Sequence, residues 1–145
     1  MIFSKACEYG IKATVFIAQK SLNNERCNLT DISDEIDSPK AFTAKILQKL
    51  VKAGIVNSSK GKLGGFGINM KDSKKIKLID VITAIDGNMI EKTCVLGLKK
   101  CSEDHPCPVH NQFKFIKKDL LKMVHKTTLS DMSKSVDIGL SCLKI

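Results

Sequence analysis

The fold of this chain is decided by residues 39–66, which read PKAFTAKILQKLVKAGIVNSSKGKLGGF. Apolar side chains recur at the spacing of a helix from residue 39 to residue 53, and Gly54 is suited to end that helix. Residues 55–59 are a short β-prone run, which a glycine-rich turn separates from a second run at residues 66–70. This stretch therefore predicts a helix followed by a β-hairpin.

Two more helices are predicted upstream. Residues 5–21 carry apolar residues at the helical period behind Ser4, an N-cap candidate, and Thr30 is the N-cap candidate of a second, short helix. A turn then leads to Pro39, a residue that suits a helix start. The predicted elements follow the order of a winged helix-turn-helix: a helix, a turn, a lysine-bearing helix and a glycine-tipped hairpin. The second helix of such a motif enters the DNA major groove. The predicted fold is mainly α with a small β-hairpin.

The residues expected to contact DNA follow from this interpretation. The third helix should bury a face that begins at Phe42 and continues through Ile46 and Leu50. Its outward N-terminal side chains should read the groove, while the wing should bring cations and a glycine backbone to phosphates. The alternative is an ordinary hairpin beside a solvated helix. The residues predicted to contact DNA are Lys40, Thr43, Lys45, Ser59, Lys60, Gly61, Lys62, Gly64 and Gly65.

The charge distribution agrees with a nucleic-acid partner. The 145 residues carry a formal net charge of +9, and residues 40–77 alone hold ten lysines and one acid, a net +9. Such a local basic field attracts polyanions, although a lysine-rich solvated surface would look similar. With no Trp and one Tyr, a base-stacking platform for single strands is not expected. Double-stranded DNA is the predicted partner.

Several other protein classes are excluded. The sequence has no apolar run long enough to span a membrane and no signal peptide at its N-terminus, so we expect a cytoplasmic protein. In that reducing compartment, its six cysteines favour metal binding or reactivity over disulfides. The sequence contains no Ser/His/Asp set, no Walker loop and no Cys-x-x-Cys motif, so we do not expect an enzyme.

The second half of the chain is predicted to carry a sensor. Residues 78–86 and 111–126 read as helices joined by a long irregular loop, and residue 128 opens a last short helix. We expect residues 1–77 to be the DNA-binding region and residues 78–145 to be the cysteine loop and dimerisation helix, together forming one structural unit. The long helix has an apolar face that consists of Phe113, Ile116, Leu120 and Met123.

Three cysteines fall in the long loop. Cys94, Cys101 and Cys107 are spaced Cys-x6-Cys-x5-Cys, and His110 comes three residues after the last. Thiolates are soft ligands that favour iron–sulfur clusters, Cu(I) or zinc, and the paired knuckles of structural zinc are missing here. The wide spacing favours a cluster, with zinc or no metal as the alternatives. Cys7 and Cys142 are expected to be buried structural thiols.

The sequence resembles the Rrf2 family of small dimeric winged-helix regulators, the group of IscR, NsrR and CymR. The resemblance covers nearly the whole chain and includes the three loop cysteines. Its motifs are SKACEY at residues 4–9, FTAKILQKLVKAG at 42–54, KGKLGGF at 60–66, IKLIDVITAIDG at 76–87 and TTLSD at 127–131. It departs from the family where Lys60 replaces a wing arginine and where Pro39, Ala41 and Ala44 replace polar base-reading residues.

The resemblance implies a homodimer built on the helix at residues 111–126 and an iron–sulfur cluster, expected to be 2Fe–2S, on the three loop cysteines. The fourth ligand would be His110 or, from helix one of the other subunit, Glu8. A neutral imidazole leaves the centre less negative than a carboxylate does, which raises its reduction potential and favours His110. The resulting prediction is a DNA-binding transcription regulator that senses through the cluster. The alternative is the same fold with a zinc or thiol-redox sensor.

Overall fold

A computed structural model describes residues 2–145, and within them the chain is mainly α with one small antiparallel hairpin, as predicted. In chain order the elements are α1 (Lys5–Leu22), α2 (Leu29–Glu35), α3 (Lys40–Lys52), β1 (Asn57–Ser59), β2 (Gly65–Gly67), α4 (Met70–Ser73), α5 (Leu78–Asp86), α6 (Met89–Lys92), α7 (His110–Lys126) and α8 (Leu129–Asp137). The helices of both halves share one hydrophobic core.

Helix α1 is the central element of that core. It begins at the predicted cap, because the Ser4 side chain accepts a hydrogen bond from the Cys7 amide. It then packs against α3, α5 and α8. Gly10 allows α5 to come close, since a Cβ at this position would lie 1.9 Å from Ile85 Cδ1. Helix α1 therefore joins the DNA-binding half of the chain to the C-terminal half.

The helix-turn-helix is formed by α2 and α3. The cap of α2 is Asn28, whose side chain accepts from the Asp31 amide at 2.8 Å, so the prediction of Thr30 was wrong by two residues. Asn and Thr are both good caps, and a helix capped by Asn28 is about half a turn longer than one capped by Thr30. Asp37 then reverses the chain at φ +54°, and Pro39 precedes the first turn of α3.

The hairpin is shorter than the sequence predicts. Its register pairs Asn57 with Gly67 and Ser59 with Gly65. Residues 55 and 56 are buried, but their amides bond to the Leu50 carbonyl and complete the end of α3 instead of starting a strand. After Gly67 the chain leaves the sheet, because Asn69 caps the short helix α4, which sequence reasoning missed.

The C-terminal half packs around α5. Helix α7 lies against α5, and its Val124 is fully buried. Thr128 is the N-cap of α8, and its side chain accepts a hydrogen bond from the Asp131 amide, as predicted. The loop between α5 and α7 is irregular apart from α6. Within residues 2–145, no helix is long and apolar enough to cross a membrane.

Candidate DNA interface and cysteine site

Helix α3 turns a different face outward from the one expected. Thr43 is fully buried, and its hydroxyl donates to the Pro39 carbonyl at 3.0 Å, so the prediction that it faces DNA was wrong. Residues 43, 46, 47 and 50 form the buried i, i+3, i+4, i+7 stripe, whereas Phe42 stays partly exposed. Thr43 was missed as a core residue because its hydroxyl marked it as polar, although its backbone bond satisfies that group.

The exposed line of α3 consists of Ala41, Lys45, Gln48 and Lys52, which follow one another at helical spacing. Lys40 is also exposed, at the N-terminal end of the helix. Gln48 was overlooked in the sequence because the lysines around it dominated the pattern. Its amide is the side-chain group on this line that can both donate to and accept from a base edge.

The wing tip is exposed, as a phosphate-contacting turn requires. Ser59, Lys60, Gly61 and Lys62 are all exposed, and the turn closes with the Gly64 amide donating to the Gly61 carbonyl at 3.0 Å. Gly65 has a role inside the protein. Its φ is +114°, and a Cβ there would lie 2.6 Å from the Cys27 carbonyl oxygen.

The base of the wing is attached to the turn between α1 and α2. Cys27 and Phe66 exchange two main-chain hydrogen bonds, at 3.0 and 2.7 Å. The Arg26 guanidinium donates to the carbonyls of Gly65 and Asn57. Sequence reasoning did not single out Arg26, and its only signal was that it is the one arginine beside 23 lysines.

One loop cysteine lies beside the candidate histidine. Cys101 Sγ lies 3.4 Å from Nδ1 of His110, the first residue of α7. The His110 side chain is buried, and its Nε2 has no hydrogen-bond partner among the described residues. A buried imidazole nitrogen with no partner is a candidate for binding a metal.

Cys94 has different surroundings from Cys101. Hydrogen bonds from the Leu96 and Leu98 amides to the buried Cys94 sulfur lower the pKa of this thiol, and the Cys107 thiol and the Lys117 ammonium lower it further. These donors stabilise the thiolate, the form that binds metals. The Lys117 side chain also donates to the Thr93 carbonyl at 3.3 Å, which ties α7 to this part of the loop.

Cys94, Cys101, Cys107 and His110 do not form a single metal cage in the described part of the chain. Among residues 2–145, no group of three or more His, Cys, Asp or Glu side chains is arranged to hold one metal ion. Glu8 lies on α1, where its carboxylate pairs with the Lys5 ammonium at 3.1 Å. Within one protomer, the contacts therefore bring His110 to a loop cysteine, whereas Glu8 has a different partner.

Comparison with known proteins identifies the family of this chain. Residues 3–135 match the model of the family Rrf2, described as "Iron-dependent Transcriptional regulator". An HTH-type transcriptional regulator of Aquifex aeolicus is 33% identical over 135 residues, which are 91% of each chain. The chain belongs to the Rrf2 family. The resemblance noted in the sequence is thereby confirmed, and so is the prediction of a transcriptional regulator that is not an enzyme.

More distant relatives of this Rrf2 protein include IscR and CymR proteins. IscR of Vibrio cholerae is 27% identical over 124 residues, 86% of this chain and 70% of that protein. The solved structure of CymR, the global cysteine regulator of B. subtilis, has a TM-score of 0.74 at 21% identity and covers 91% of this chain and 95% of its own. IscR of T. potens has a TM-score of 0.69 at 21% identity, with coverage of 96% and 90%. These two structures confirm the winged-helix fold.

The cysteines outside the loop fall into two classes. Cys7 and Cys27 are buried, and burial raises their pKa values to about 12 and about 11. This agrees with the structural role predicted for Cys7. Cys142 is exposed, so the prediction that it is buried was wrong. In the tail, the neighbouring Leu143 packs against the core, and Cys142 faces outward instead.

Helix α7 leaves an apolar surface uncovered within one chain. Ile116 and Met123 are 62% and 46% exposed, and Phe113 and Leu120 on the same face are half-buried. Phe115, which sequence reasoning left out, is 70% exposed. Contiguous exposed apolar residues of this kind mark association surfaces.

Proposed function

We propose that this Rrf2 protein is a homodimeric DNA-binding regulator that senses its signal through a 2Fe–2S cluster bound by Cys94, Cys101, Cys107 and His110. The observation that carries the proposal is the contact between the Cys101 sulfur and the buried His110 imidazole, 3.4 Å from Sγ to Nδ1, in the loop that also holds Cys94 and Cys107. A two-iron cluster takes two protein ligands on each iron, whereas a zinc ion takes four at one point. The wide Cys-x6-Cys-x5-Cys spacing suits the larger group and favours the cluster over zinc.

The chemistry of the donors fits the same group. A cysteine binds a cluster as its thiolate and a histidine as its neutral imidazole, and the amides around Cys94 already stabilise its thiolate. Hydrogen bonds to cluster sulfurs are also one of the means by which a protein tunes the reduction potential. When bound, the cluster would supply a centre that reacts with oxidants or nitric oxide and that is lost when iron is scarce. The Cys101 thiol and the His110 imidazole beside it are the groups that would respond on the α7 side.

DNA contact is proposed for the exposed line of α3 and for the wing tip. Lys45 and Lys52 would contact phosphates on either side of Gln48, whose amide is suited to pair with an adenine edge. Lys60 and Lys62 would reach the backbone beyond the groove, with Lys40, Ser59 and the wing glycines nearby. This assignment keeps the rest of the predicted interface, replaces the buried Thr43 by Gln48 and adds Lys52.

The exposed face of α7 is proposed as the dimer seam. A second copy that places its own α7 against Ile116 and Met123 would bury side chains that one chain leaves in water. Two copies also place two recognition helices and two wings on one duplex. Glu8 of the second copy is kept as the alternative fourth ligand.

Anaerobic purification tests the sensor proposal. The expected result is a brown protein with visible absorption, about two irons and two sulfides per chain, and loss of colour in each Cys-to-Ser variant at positions 94, 101 and 107. Cys142→Ser is the matched control, since its thiol is exposed and outside the loop. A colourless protein with one zinc per chain would support the zinc alternative. A metal-free protein whose DNA affinity follows thiol oxidation would support the thiol alternative.

A further inference from the structure

Arg26 connects both strands of the wing to the rest of the protein. Its Nη2 donates to the Gly65 carbonyl at 2.7 Å and to the Asn57 carbonyl at 3.3 Å. Gly65 belongs to β2 and Asn57 to β1, so one guanidinium group bonds to the two strands at once. The next residue, Cys27, adds its two main-chain bonds to Phe66.

The other attachments of the wing lie at its ends, where Val56 and Ile68 are buried and the Ile68 amide donates to Ser21 Oγ at 3.0 Å. Each strand has three residues, every residue of β1 is exposed, and a two-stranded hairpin of this size is marginal by itself in water. The apolar contact of the hairpin with the core comes from the half-buried Phe66. The position of the tip therefore depends on the few bonds at its base.

An arginine is chemically suited to this position, and a lysine is not. A guanidinium is a planar fork with several N–H donors in fixed directions, whereas an ammonium is a compact point charge. The group also lies close over the strand, since a Cβ on Gly67 would come within 2.8 Å of Arg26 Nη1. The chain has 23 lysines and this single arginine, so the position that needs a fork has the one residue that supplies it.

We propose that Arg26 is a positioning residue for DNA binding, which fixes the wing hairpin against the turn between α1 and α2 so that Lys60 and Lys62 face the phosphates. Arg26 does this through Gly65 and Asn57 and does not itself contact DNA. The inference rests on the wing contacts of the proposed function.

A double-mutant cycle tests the proposal directly. The probe is a duplex that the wild-type protein selects from a random-sequence pool. Arg26→Met should weaken binding about tenfold, because the wing is free to move. In a Lys60→Ala/Lys62→Ala background the same change should have less than a roughly twofold effect, since residues acting through one contact are not additive. An equal loss in both backgrounds would mean that Arg26 contacts DNA itself, and would overturn the proposal.

Two further variants separate position from charge. Lys20→Met is the matched control, because it removes a nearby cation whose partners are Glu25 and Phe16. It should leave affinity within about twofold, whereas a general charge effect would make it equal to Arg26→Met. Gly67→Ala changes no charge but adds a Cβ 2.8 Å from Arg26 Nη1. It should push the guanidinium away, weaken binding in the wild type and have no effect in Arg26→Met.

Hydrogen exchange gives a readout that does not depend on DNA. The Phe66 amide donates to the Cys27 carbonyl at 2.7 Å, and its exchange should accelerate in Arg26→Met while the amides of α1 stay protected. Unchanged exchange at Phe66 would refute the role of Arg26 in holding the hairpin. If Lys60→Ala/Lys62→Ala alone binds DNA like the wild type, the proposed DNA contact of the wing is wrong, and so is the proposed role of Arg26 in DNA binding. The exchange data still decide whether Arg26 anchors the wing.

Discussion

Replacing Thr43 by valine should lower stability slightly and leave base preference unchanged. The side chain is fully buried, so the valine methyl takes the place of the hydroxyl without changing the volume. The lost bond is the one to the Pro39 carbonyl at 3.0 Å. That carbonyl still accepts the Thr43 amide at 2.9 Å, so no acceptor is left without a partner. The cost is therefore expected near the low end for a hydrogen bond, about 0.5–1 kcal/mol.

The assay pairs two measurements on two variants. Urea unfolding of Thr43→Val should give a loss of about 0.5–1 kcal/mol, or roughly 2–4 °C in the melting temperature, with an unchanged selected DNA sequence. Gln48→Ala, at an exposed position on the same helix, should do the reverse. Its stability should stay within about 0.5 kcal/mol, and discrimination at one base pair of each half-site should fall by about 1–3 kcal/mol. A Thr43→Val protein with wild-type stability and altered base preference would refute the assigned orientation of α3.

Three further outcomes are expected. The Cys27 and Cys7 thiols should make stability fall as the pH rises above about 9 toward 11 and 12. Their pKa values are about 11 and about 12 in the folded chain and 9.0 otherwise, so they ionise first in the unfolded chain. Cys27→Ala should reduce this fall in urea unfolding at pH 10, and an unchanged profile would contradict the assignment. Ile116→Lys should make the protein monomeric by light scattering, whereas Leu63→Lys on the exposed wing tip should not. His110→Ala should shorten the lifetime of the visible spectrum more than Glu8→Ala does, and the opposite order would make Glu8 the fourth ligand.

The order of elements could be predicted from the sequence because each signal was local. Ser4 and Thr128 cap helices through their own side chains, and the apolar repeat of α1 persists over five turns. The errors lie where tertiary contacts decide. Thr43 is polar in composition but lies on the buried stripe, and Asn28 competes with Thr30 for the same cap. Residues 55 and 56 have β-branched side chains, yet their amides complete α3.

The candidate site divides in the same way. The cysteine spacing pointed to one shared site, but it contains no information on how the four side chains are arranged. The contact of Cys101 with His110 depends on where α7 begins, because His110 is aligned with Cys101 only as the first residue of that helix. Arg26 had no local signal at all, since its partners are 31 and 39 residues away along the chain.

The contacts between the cysteine loop and α7 would give the proposed sensor a physical route to the proposed dimer seam. His110 begins α7, Lys114 pairs with Glu103 of the loop, and Lys117 bonds to Thr93 beside Cys94. These three residues lie on successive turns of the helix, on the side that faces the loop, while Ile116 and Met123 are exposed. A change in the charge or position of the loop sulfurs would therefore act on one side of a helix whose other side is proposed to meet the second protomer. Because α7 packs on α5, and α5 packs on both α1 and α3, a shift of α7 would be transmitted through the core to α3, the proposed recognition helix.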